Sequence, residues 1–272
     1  MKNLKYMKKL IFILIWLVSP LVYGQFSGGG NGTEQNPWGI KTLDDLYKVS
    51  QYQGHFKVLN LIKDSVRVPI EKLENSTFDG QGFEICLAID ETNEYFMDPR
   101  ALFIYVVGDV VIKNVIVSGY VKSHWASGIL CSAHSGVGTT SLSIEGCINM
   151  AEISGIYCAS GIVHDIRSNI PVIIDRCINL GNCILLYEEI NIGCASGILA
   201  HYDFLGEYEN FKNFIFSNCI NAGIIKGKHI AAGFIANETY RHSKVPINTI
   251  SNCINIGIIE GDNFIDPFLT NY

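Results

Sequence analysis

The chain has 272 residues, of which 20 are Lys or Arg and 26 are Asp or Glu. This length fits one large domain or two small ones. The formal net charge of −6 argues against nucleic acid or an anionic membrane surface as a partner, because both require clustered basic residues.

The first 24 residues have the pattern of a secretory signal peptide. An apolar run covers residues 10–22 and is followed by the small residue Gly24. A positive segment precedes the run and contains Lys2, Lys5, Lys8 and Lys9. We expect cleavage after Gly24 and no transmembrane anchor in the mature chain, because the run is shorter than the ~18 residues that span a bilayer. Removing the four lysines leaves 16 basic against 26 acidic residues, a formal charge of −10.

The mature part, 25–272, is predicted to be one domain, with a leading segment and cap at 25–77 and repeats at 78–272. The first element predicted in it is a short amphipathic helix from Thr42 to Ser50. Thr42 can cap the helix, and Asp45 stands at the capping-box position. One face is apolar and carries Leu43, Leu46 and Tyr47. Such a helix would close the open N-terminal end of a repeat structure.

The rest of the chain repeats a triplet of Cys, Ile and Asn. The triplets begin at Cys147, Cys177, Cys219 and Cys253, and their third residues are Asn149, Asn179, Asn221 and Asn255. A degenerate copy begins at Val115. Successive triplets lie 32, 30, 42 and 34 residues apart. A period of this size is typical of a solenoid, a propeller or an array.

A second block follows each triplet after 11, 12, 18, 12 and 12 residues. It reads Ala-Ser-Gly from Ala126, Ala159 and Ala195, and Ala-Ala-Gly from Ala231. Small residues at a fixed position indicate a close approach of backbone or layers. The pattern leaves open which of these residues face inward.

The repeats favour an all-β, single-stranded right-handed parallel β-helix. Short apolar runs bounded by Gly and Asn are typical of strands and turns, and long stretches of helical periodicity are missing. Propeller blades need more residues per unit and tight hairpin turns. A coil of three short strands and three turns fits ~30 residues, and in such a coil equivalent residues stack ~4.8 Å apart.

Stacking predicts ladders of equal side chains. We expect each triplet to place Cys inward, Ile outward and Asn inward, with the Asn amides hydrogen-bonded from coil to coil. The four cysteines would then be buried thiols in one column. The residue before each triplet is Asn or Gly in four copies, which indicates a left-handed bend, with Arg176 as the exception.

The segment 27–46, with Ser27-Gly28-Gly29-Gly30-Asn31-Gly32-Thr33 and Pro37-Trp38, resembles the start of secreted or surface β-helix proteins of Bacteroides-type bacteria. Residues 78–85 resemble the first coil of those proteins, and the repeats resemble their GLUG motif. The usual second glycine of that motif is replaced by Leu130, Val163 and Leu199. The resemblance implies a bacterial protein that is secreted, at the cell surface or in the periplasm, with an adhesin-like role and no assigned reaction.

Two polar segments follow the small block in successive units: His164-Asp165, and His201-Tyr202-Asp203. They would lie near one another on neighbouring coils. A His–carboxylate pair can serve acid–base chemistry or contribute to a metal site. The alternative is that both are solvated turns, and no third metal ligand has suitable spacing.

The third unit is the longest, through 182–192 and 201–213, and it is rich in aromatic and acidic residues. We single out Tyr187, Glu188, Tyr202, Asp203, Glu207 and Tyr208 as candidate ligand-binding residues. Loops that protrude from a regular scaffold often carry function. Aromatic faces stack on sugar rings, and two carboxylates beside a groove can hydrolyse glycosides. An acidic insertion without a site is the alternative.

The sequence therefore predicts a non-enzymatic module that binds glycan or protein ligands, without cofactor or metal. The alternative is a polysaccharide lyase or glycoside hydrolase. Lyases of this shape favour a basic groove, which an acidic chain lacks. At the C-terminus, Asp266-Pro267 replaces the small block, so we expect 265–269 to form the terminal edge strand or a capping turn and the chain to be complete at Tyr272.

Overall fold

The structure is a computed structural model that describes residues 26–92, 99–134, 138–167, 170–186, 193–203, 214–237, 250–262, 264–266 and 268–271. The predicted signal peptide, 1–24, lies outside them. Every strand pair in the described part is parallel, and the strands stack as about five turns of a solenoid. The all-β parallel solenoid predicted from the repeats is thereby confirmed.

Twenty-seven strands form two sheets, which we call sheet A, with 13 strands, and sheet B, with 14. Those before the first full triplet are β1 (Trp38–Ile40), β2 (Gln53–Val58), β3 (Ile70–Asp79), β4 (Glu84–Asp90), β5 (Pro99–Arg100), β6 (Phe103–Lys113), β7 (Ile116–Ser127), β8 (Leu130–His134) and β9 (Thr139–Glu145). The following coils contain β10 (Ile148–Asn149), β11 (Glu152–Ser160), β12 (Val163–Arg167), β13 (Val172–Asp175), β14 (Ile178–Asn179), β15 (Cys183–Leu185), β16 (Cys194–Ser196), β17 (Leu199–Asp203), β18 (Phe214–Ser217), β19 (Ile220–Asn221), β20 (Ile225–Lys226), β21 (Ile230–Ala232), β22 (Ile235–Asn237), β23 (Ile250–Ser251), β24 (Ile254–Asn255), β25 (Ile259–Glu260), β26 (Phe264–Asp266) and β27 (Leu269–Asn271).

The two sheets alternate along each coil. In sheet A, one series of paired strands runs β1, β2, β3, β6, β9, β13, β18 and β23. A second series starts from the same long strand β6 and runs β8, β12, β17, β22 and β27. Sheet B contains the triplet strands β10, β14, β19 and β24 and the small-block strands β16, β21 and β26. The main core lies between the sheets and is lined by Ile, Val, Leu and Phe.

A six-residue helix, α1 (Leu43–Lys48), closes the N-terminal end and continues into a 3₁₀ turn, Val49–Gln51. Thr42 accepts a hydrogen bond from the Asp45 amide, and the Asp45 side chain accepts one from Thr42 N, which completes the predicted capping box. Leu46 and Val49 are fully buried in the main core. The helix is therefore held by both its cap and its apolar face.

The triplets form two inward columns. Cys147, Cys177 and Cys219 are fully buried, whereas the isoleucines that follow them lie at the outer surface. Cys253 of the last coil is only half-buried, so the prediction of a buried thiol is wrong for that residue. Asn149 Nδ2 donates to Asn179 Oδ1 at 2.8 Å. The same bond continues down the ladder from Asn179 to Asn221 and from Asn221 to Asn255, at 2.8 and 2.7 Å. Three of the four amides are completely buried, so the ladder satisfies polar groups that water cannot reach.

Glycines enclose this ladder on two sides, which explains the glycine of the small block. A Cβ on Gly161 would lie 2.4 Å from Asn179 Oδ1, and one on Gly223 would lie 2.8 Å from Asn179 Nδ2. The inward parity left open by the sequence is also defined. Ala159 faces the main core, whereas Ser160 points to the opposite side of the strand.

Each triplet is preceded by a residue in the left-handed region. Asn114, Asn218 and Asn252 have φ of 53°, and Gly146 has 60°. Arg176 also has a φ of 53°, so its backbone has the same bend and the prediction that it would be an exception is wrong. The stack imposes this bend on every coil, and Arg176 accommodates it with ion pairs to Glu145 and Asp175.

The last coil departs from the prediction for residues 265–269. Phe264–Asp266 is strand β26 and pairs with β21, whereas Leu269–Asn271 is a further strand, β27, that pairs with β22. The Phe268 amide donates to Asp266 Oδ1 at 2.6 Å, so this carboxylate organises the turn between them. The predicted single terminal segment is therefore wrong in its bounds.

Candidate functional site

Each coil turns from sheet B into sheet A immediately after its small block, and the serines of the block line the outer side of this turn. Ser127, Ser160 and Ser196 are completely buried. Ser127 Oγ donates to Leu130 O at 2.7 Å, and Ser160 Oγ donates to Ile198 O at 2.9 Å. We call the sheet B strand before this turn and the sheet A strand after it the two arms of the turn, and these bonds connect them.

A second buried cluster, separate from the main core, fills the angle between the two arms. It consists of Cys158, Cys194, Ala200, Ile230, Ala232 and Ala236, with Trp125 packed against it. We call these seven residues the corner cluster. Cys194 Sγ donates to the Ala200 carbonyl across the angle at 3.4 Å. Side chains on the outer faces of both arms are therefore in contact, so the solenoid surface is folded inward here.

Asp165 and His201 form an ion pair at the edge of this corner. They occupy equivalent positions in β12 and β17, and His201 Nδ1 lies 2.7 Å from Asp165 Oδ1. Arg167 Nε lies 2.8 Å from Asp165 Oδ2. The Asp165 side chain is 5% exposed and that of His201 is 18% exposed. The polar segments singled out in the sequence are thus brought into direct contact, and Asp165 is buried rather than solvated.

The electrostatics favour the charged form of this pair. Burial alone would raise the pKa of Asp165, but the hydrogen bond from His201 and the nearby positive charges hold it below its usual value. Burial would likewise lower the pKa of His201, yet the hydrogen bond and charge of Asp165 raise it above its usual value. A carboxylate hydrogen-bonded to a histidine can hold a ligand hydroxyl or exchange a proton with it.

Cys158 and His164 extend the polar character of the corner inward. The hydrogen bond from Cys194 lowers the pKa of the Cys158 thiol, burial opposes this, and the hydrogen bond and charge of His164 lower it further. His164 is 7% exposed, and its Nδ1 atom is buried without a hydrogen-bond partner. An unsatisfied buried polar atom costs ~1–3 kcal/mol. The Nδ1 atom of His164 can therefore still form a hydrogen bond that the fold does not supply.

An aromatic surface lies beside the corner cluster. The rings of Trp125 and Tyr157 are half-buried, with centroids 5.6 Å apart, and Trp125 lies 6.4 Å from the ring of His164. His124 stacks on Tyr157 at 6.0 Å, and its Nδ1 is a second buried nitrogen without a partner. We call His124, Trp125 and Tyr157 the aromatic shelf. Its Trp125 ring lies beside His164, the residue that precedes Asp165 in β12.

The candidate residues of the third unit fall mainly outside the described part of the chain. Tyr187, Glu188, Glu207 and Tyr208 lie outside it. Tyr202 and Asp203 belong to β17, where their backbones pair with Ile166 and Arg167, but their side chains are not described. In the sequence, residues 187–192 precede β16 and residues 204–213 follow β17.

A separate surface pocket of about 540 Å³ lies on the last two coils. Its lining includes Leu185, Lys226, Lys228, Glu260 and Asp262. Lys226 and Glu260 occupy paired positions on adjacent strands, so a positive and a negative side chain are neighbours there. Among the described residues, the lining contains no aromatic ring, which makes this pocket a weaker candidate for sugar binding than the aromatic shelf.

The fold and the corner define the class of the molecule as a parallel β-solenoid with a buried polar site on its outer surface. Among protein-family models, curated proteins and solved structures, none matches this chain. In the described residues, no helix is long and apolar enough to cross a membrane. The same residues contain no group of three His, Cys, Asp or Glu side chains placed to bind a metal.

Sequence reasoning found Asp165 and His201 but missed the aromatic shelf. The missing signal was the residue before each small block: Trp125, Cys158, Cys194 and Ile230 occupy one register position. Aligning the repeats on Ala-Ser-Gly would have shown this column. Its outward direction and its burial depend on the folded angle between the two arms, which no local pattern encodes.

Proposed function

We propose that this chain is a secreted or cell-surface β-solenoid of bacterial type that binds glycan at the aromatic shelf and the Asp165–His201 pair. The supporting observation is that the half-buried ring of Trp125, which packs on Tyr157, lies beside His164, the neighbour in sequence of the buried and hydrogen-bonded carboxylate Asp165. Sugar rings have apolar faces that stack on aromatic rings and hydroxyls that bind carboxylates and imidazoles.

The surrounding contacts support this assignment. The corner has polar groups with unused capacity, namely the Nδ1 atoms of His124 and His164. In the sequence, residues 187–192 before β16 and residues 204–213 after β17 are rich in aromatic and acidic side chains.

A glycan array on the purified protein, followed by titration calorimetry with the best-bound glycan, tests the proposal. Trp125→Ala should weaken binding about 30-fold, since a buried aromatic anchor contributes ~2 kcal/mol. Tyr120→Ala is the matched control. Tyr120 is an exposed aromatic residue on the same strand, stacked with Lys122 and outside the corner. Unchanged affinity of Trp125→Ala, in a protein that keeps its melting temperature, would refute the site.

The second candidate function is a carbohydrate-active enzyme, and the Asp165–His201 pair favours it. A histidine whose pKa is raised by a bound carboxylate can act as a proton donor when it is protonated. A reducing-end release assay on glycans that the array identifies separates the two functions. Release that disappears in Asp165→Asn, while binding persists, would support the enzyme. Binding without release would support the module.

A further inference from the structure

Two cysteines of the corner cluster are in direct contact. Cys158 in β11 and Cys194 in β16 occupy paired positions on adjacent parallel strands. Their sulfur atoms are 3.0 Å apart, and both residues are buried. In this structure both side chains are thiols.

The backbone geometry permits a covalent bond between them. Paired Cα atoms of adjacent strands are separated by roughly 4.8 Å. Disulfides require a Cα separation of about 4.4–6.8 Å and a sulfur–sulfur distance of ~2.05 Å. The sulfur atoms must therefore approach by about 1 Å, which a small rotation of the two side chains supplies without moving the strands.

We propose that Cys158 and Cys194 are a disulfide-forming pair that links two successive coils through exchange with an oxidised disulfide compound. The thiolate of one cysteine attacks a sulfur of the oxidant and releases one thiol. The second cysteine then attacks the mixed disulfide and releases the other thiol. Two protein thiols and one oxidant disulfide thus give one protein disulfide and two oxidant thiols, so atoms and electrons balance.

The environment of this pair differs from that of the other buried cysteines. In the triplet column, the thiols of Cys177 and Cys219 point at backbone carbonyl oxygens, at 3.5 and 3.1 Å. Burial raises the pKa of Cys177 well above its usual value. Cys158 is different, because Cys194 and His164 hold the pKa of its thiol below the usual range.

Burial determines when the bond forms. Cys158 is 4% exposed and Cys194 is 0% exposed, so a disulfide oxidant cannot reach them in the folded corner. Exchange therefore belongs to folding, before the third unit packs on the second. An oxidising compartment outside the cytoplasm, which the predicted signal peptide implies, is where such bonds persist. The bond does not depend on glycan binding, although it would fix the wall against which Trp125 packs.

Refolding the reduced protein with excess oxidised glutathione, followed by alkylation and mass spectrometry, tests the pair. Digestion with trypsin and a glutamate-specific protease gives peptide 153–167, whose only cysteine is Cys158, and peptide 190–207, whose only cysteine is Cys194. We expect these two peptides to be linked and Cys177 and Cys183 to be alkylated. Refolded protein without that linkage, or with Cys158 linked elsewhere, would overturn the proposal.

Thermal unfolding supplies an independent readout. Closing a loop of 36 residues should raise the melting temperature of oxidised over reduced protein by roughly 10 °C. Cys158→Ala should abolish this difference, whereas the matched control Cys183→Ala, a buried cysteine of the same coil as Cys194, should retain it. The peptide linkage in the unmutated protein remains decisive if Cys158→Ala fails to fold. A difference that persists in folded Cys158→Ala would contradict the assignment.

Discussion

Replacing Asn179 by alanine should be among the most destabilising single changes in this fold. Asn179 accepts from Asn149 Nδ2 at 2.8 Å, and it donates to Asn221 Oδ1 at 2.8 Å and to Gly181 O at 2.9 Å. All three side chains of this part of the ladder are completely buried. The variant therefore removes three hydrogen bonds and leaves their partners without water.

The magnitude follows from these contacts. Each buried hydrogen bond contributes about 0.5–1.5 kcal/mol, and each partner left unsatisfied costs about 1–3 kcal/mol. Partial relaxation of the neighbouring amides reduces the sum, and we expect a loss of about 4 kcal/mol in the free energy of unfolding. Asn255 is the matched control. It is half-buried and accepts from Asn221 at 2.7 Å, so Asn255→Ala should cost only about 1 kcal/mol.

Urea denaturation at pH 7, followed by circular dichroism and tryptophan fluorescence, measures both variants. Coincident transitions in the two signals are required before free energies are compared, because coils of a solenoid can unfold separately. Asn179→Leu should be no more stable than Asn179→Ala, because Asn149 and Asn221 still lose their partner. Equal losses for Asn179→Ala and Asn255→Ala would refute the reasoning, since burial and bond number would then have no effect.

Three further predictions concern single features. Asp165→Asn should cost about 2 kcal/mol, measured by urea denaturation across pH. Because the pKa of Asp165 is lowered in the folded protein, the stability it contributes is present above its unfolded pKa of 3.8 and is lost as pH falls. Because the pKa of His201 is raised, the stability it contributes is present below its unfolded pKa of 6.5 and is lost as pH rises through the folded value. The difference from wild type should therefore peak between these values, and a flat difference would contradict the ion pair. Arg176→Gly should raise the free energy of unfolding by about 1 kcal/mol, because glycine adopts a φ of 53° without strain. The ion pairs that are lost involve an exposed guanidinium and contribute little. A loss of stability would show that those ion pairs dominate. Tyr202→Ala with Tyr208→Ala should reduce glycan affinity in calorimetry without changing the melting temperature if the third-unit insertions contribute to the site, and unchanged affinity would remove them from it.

The fold was readable from the sequence because stacking repeats each side-chain role at one position per coil. Cysteine and asparagine recur in the triplet at almost constant spacing, and only a parallel stack places such positions on top of one another. The left-handed bend was readable for the same reason in Asn114, Asn218 and Asn252. Arg176 adopts the same bend although its residue type does not favour a left-handed backbone, so residue preference alone predicts its conformation wrongly. In a stack, the neighbouring coils determine the backbone of each residue more strongly than its own preference does.

The candidate site was only partly readable, because it depends on an angle rather than on a repeat. Asp165 and His201 could be paired, since they follow the same block in successive units and a parallel register brings them together. Their burial could not be derived, because strand alternation would place polar residues after a turn in solvent. Asp165 is nevertheless buried against His201 and Arg167. The two arms also fold inward, which brings Cys194 Sγ to 3.4 Å from the Ala200 carbonyl. That angle depends on small side chains at Ala200, Ala232 and Ala236, which would be too crowded if larger. Only Ala232 belongs to the small block that made the repeat recognisable, whereas Ala200 and Ala236 follow their blocks, so the corner depends on small residues in both arms.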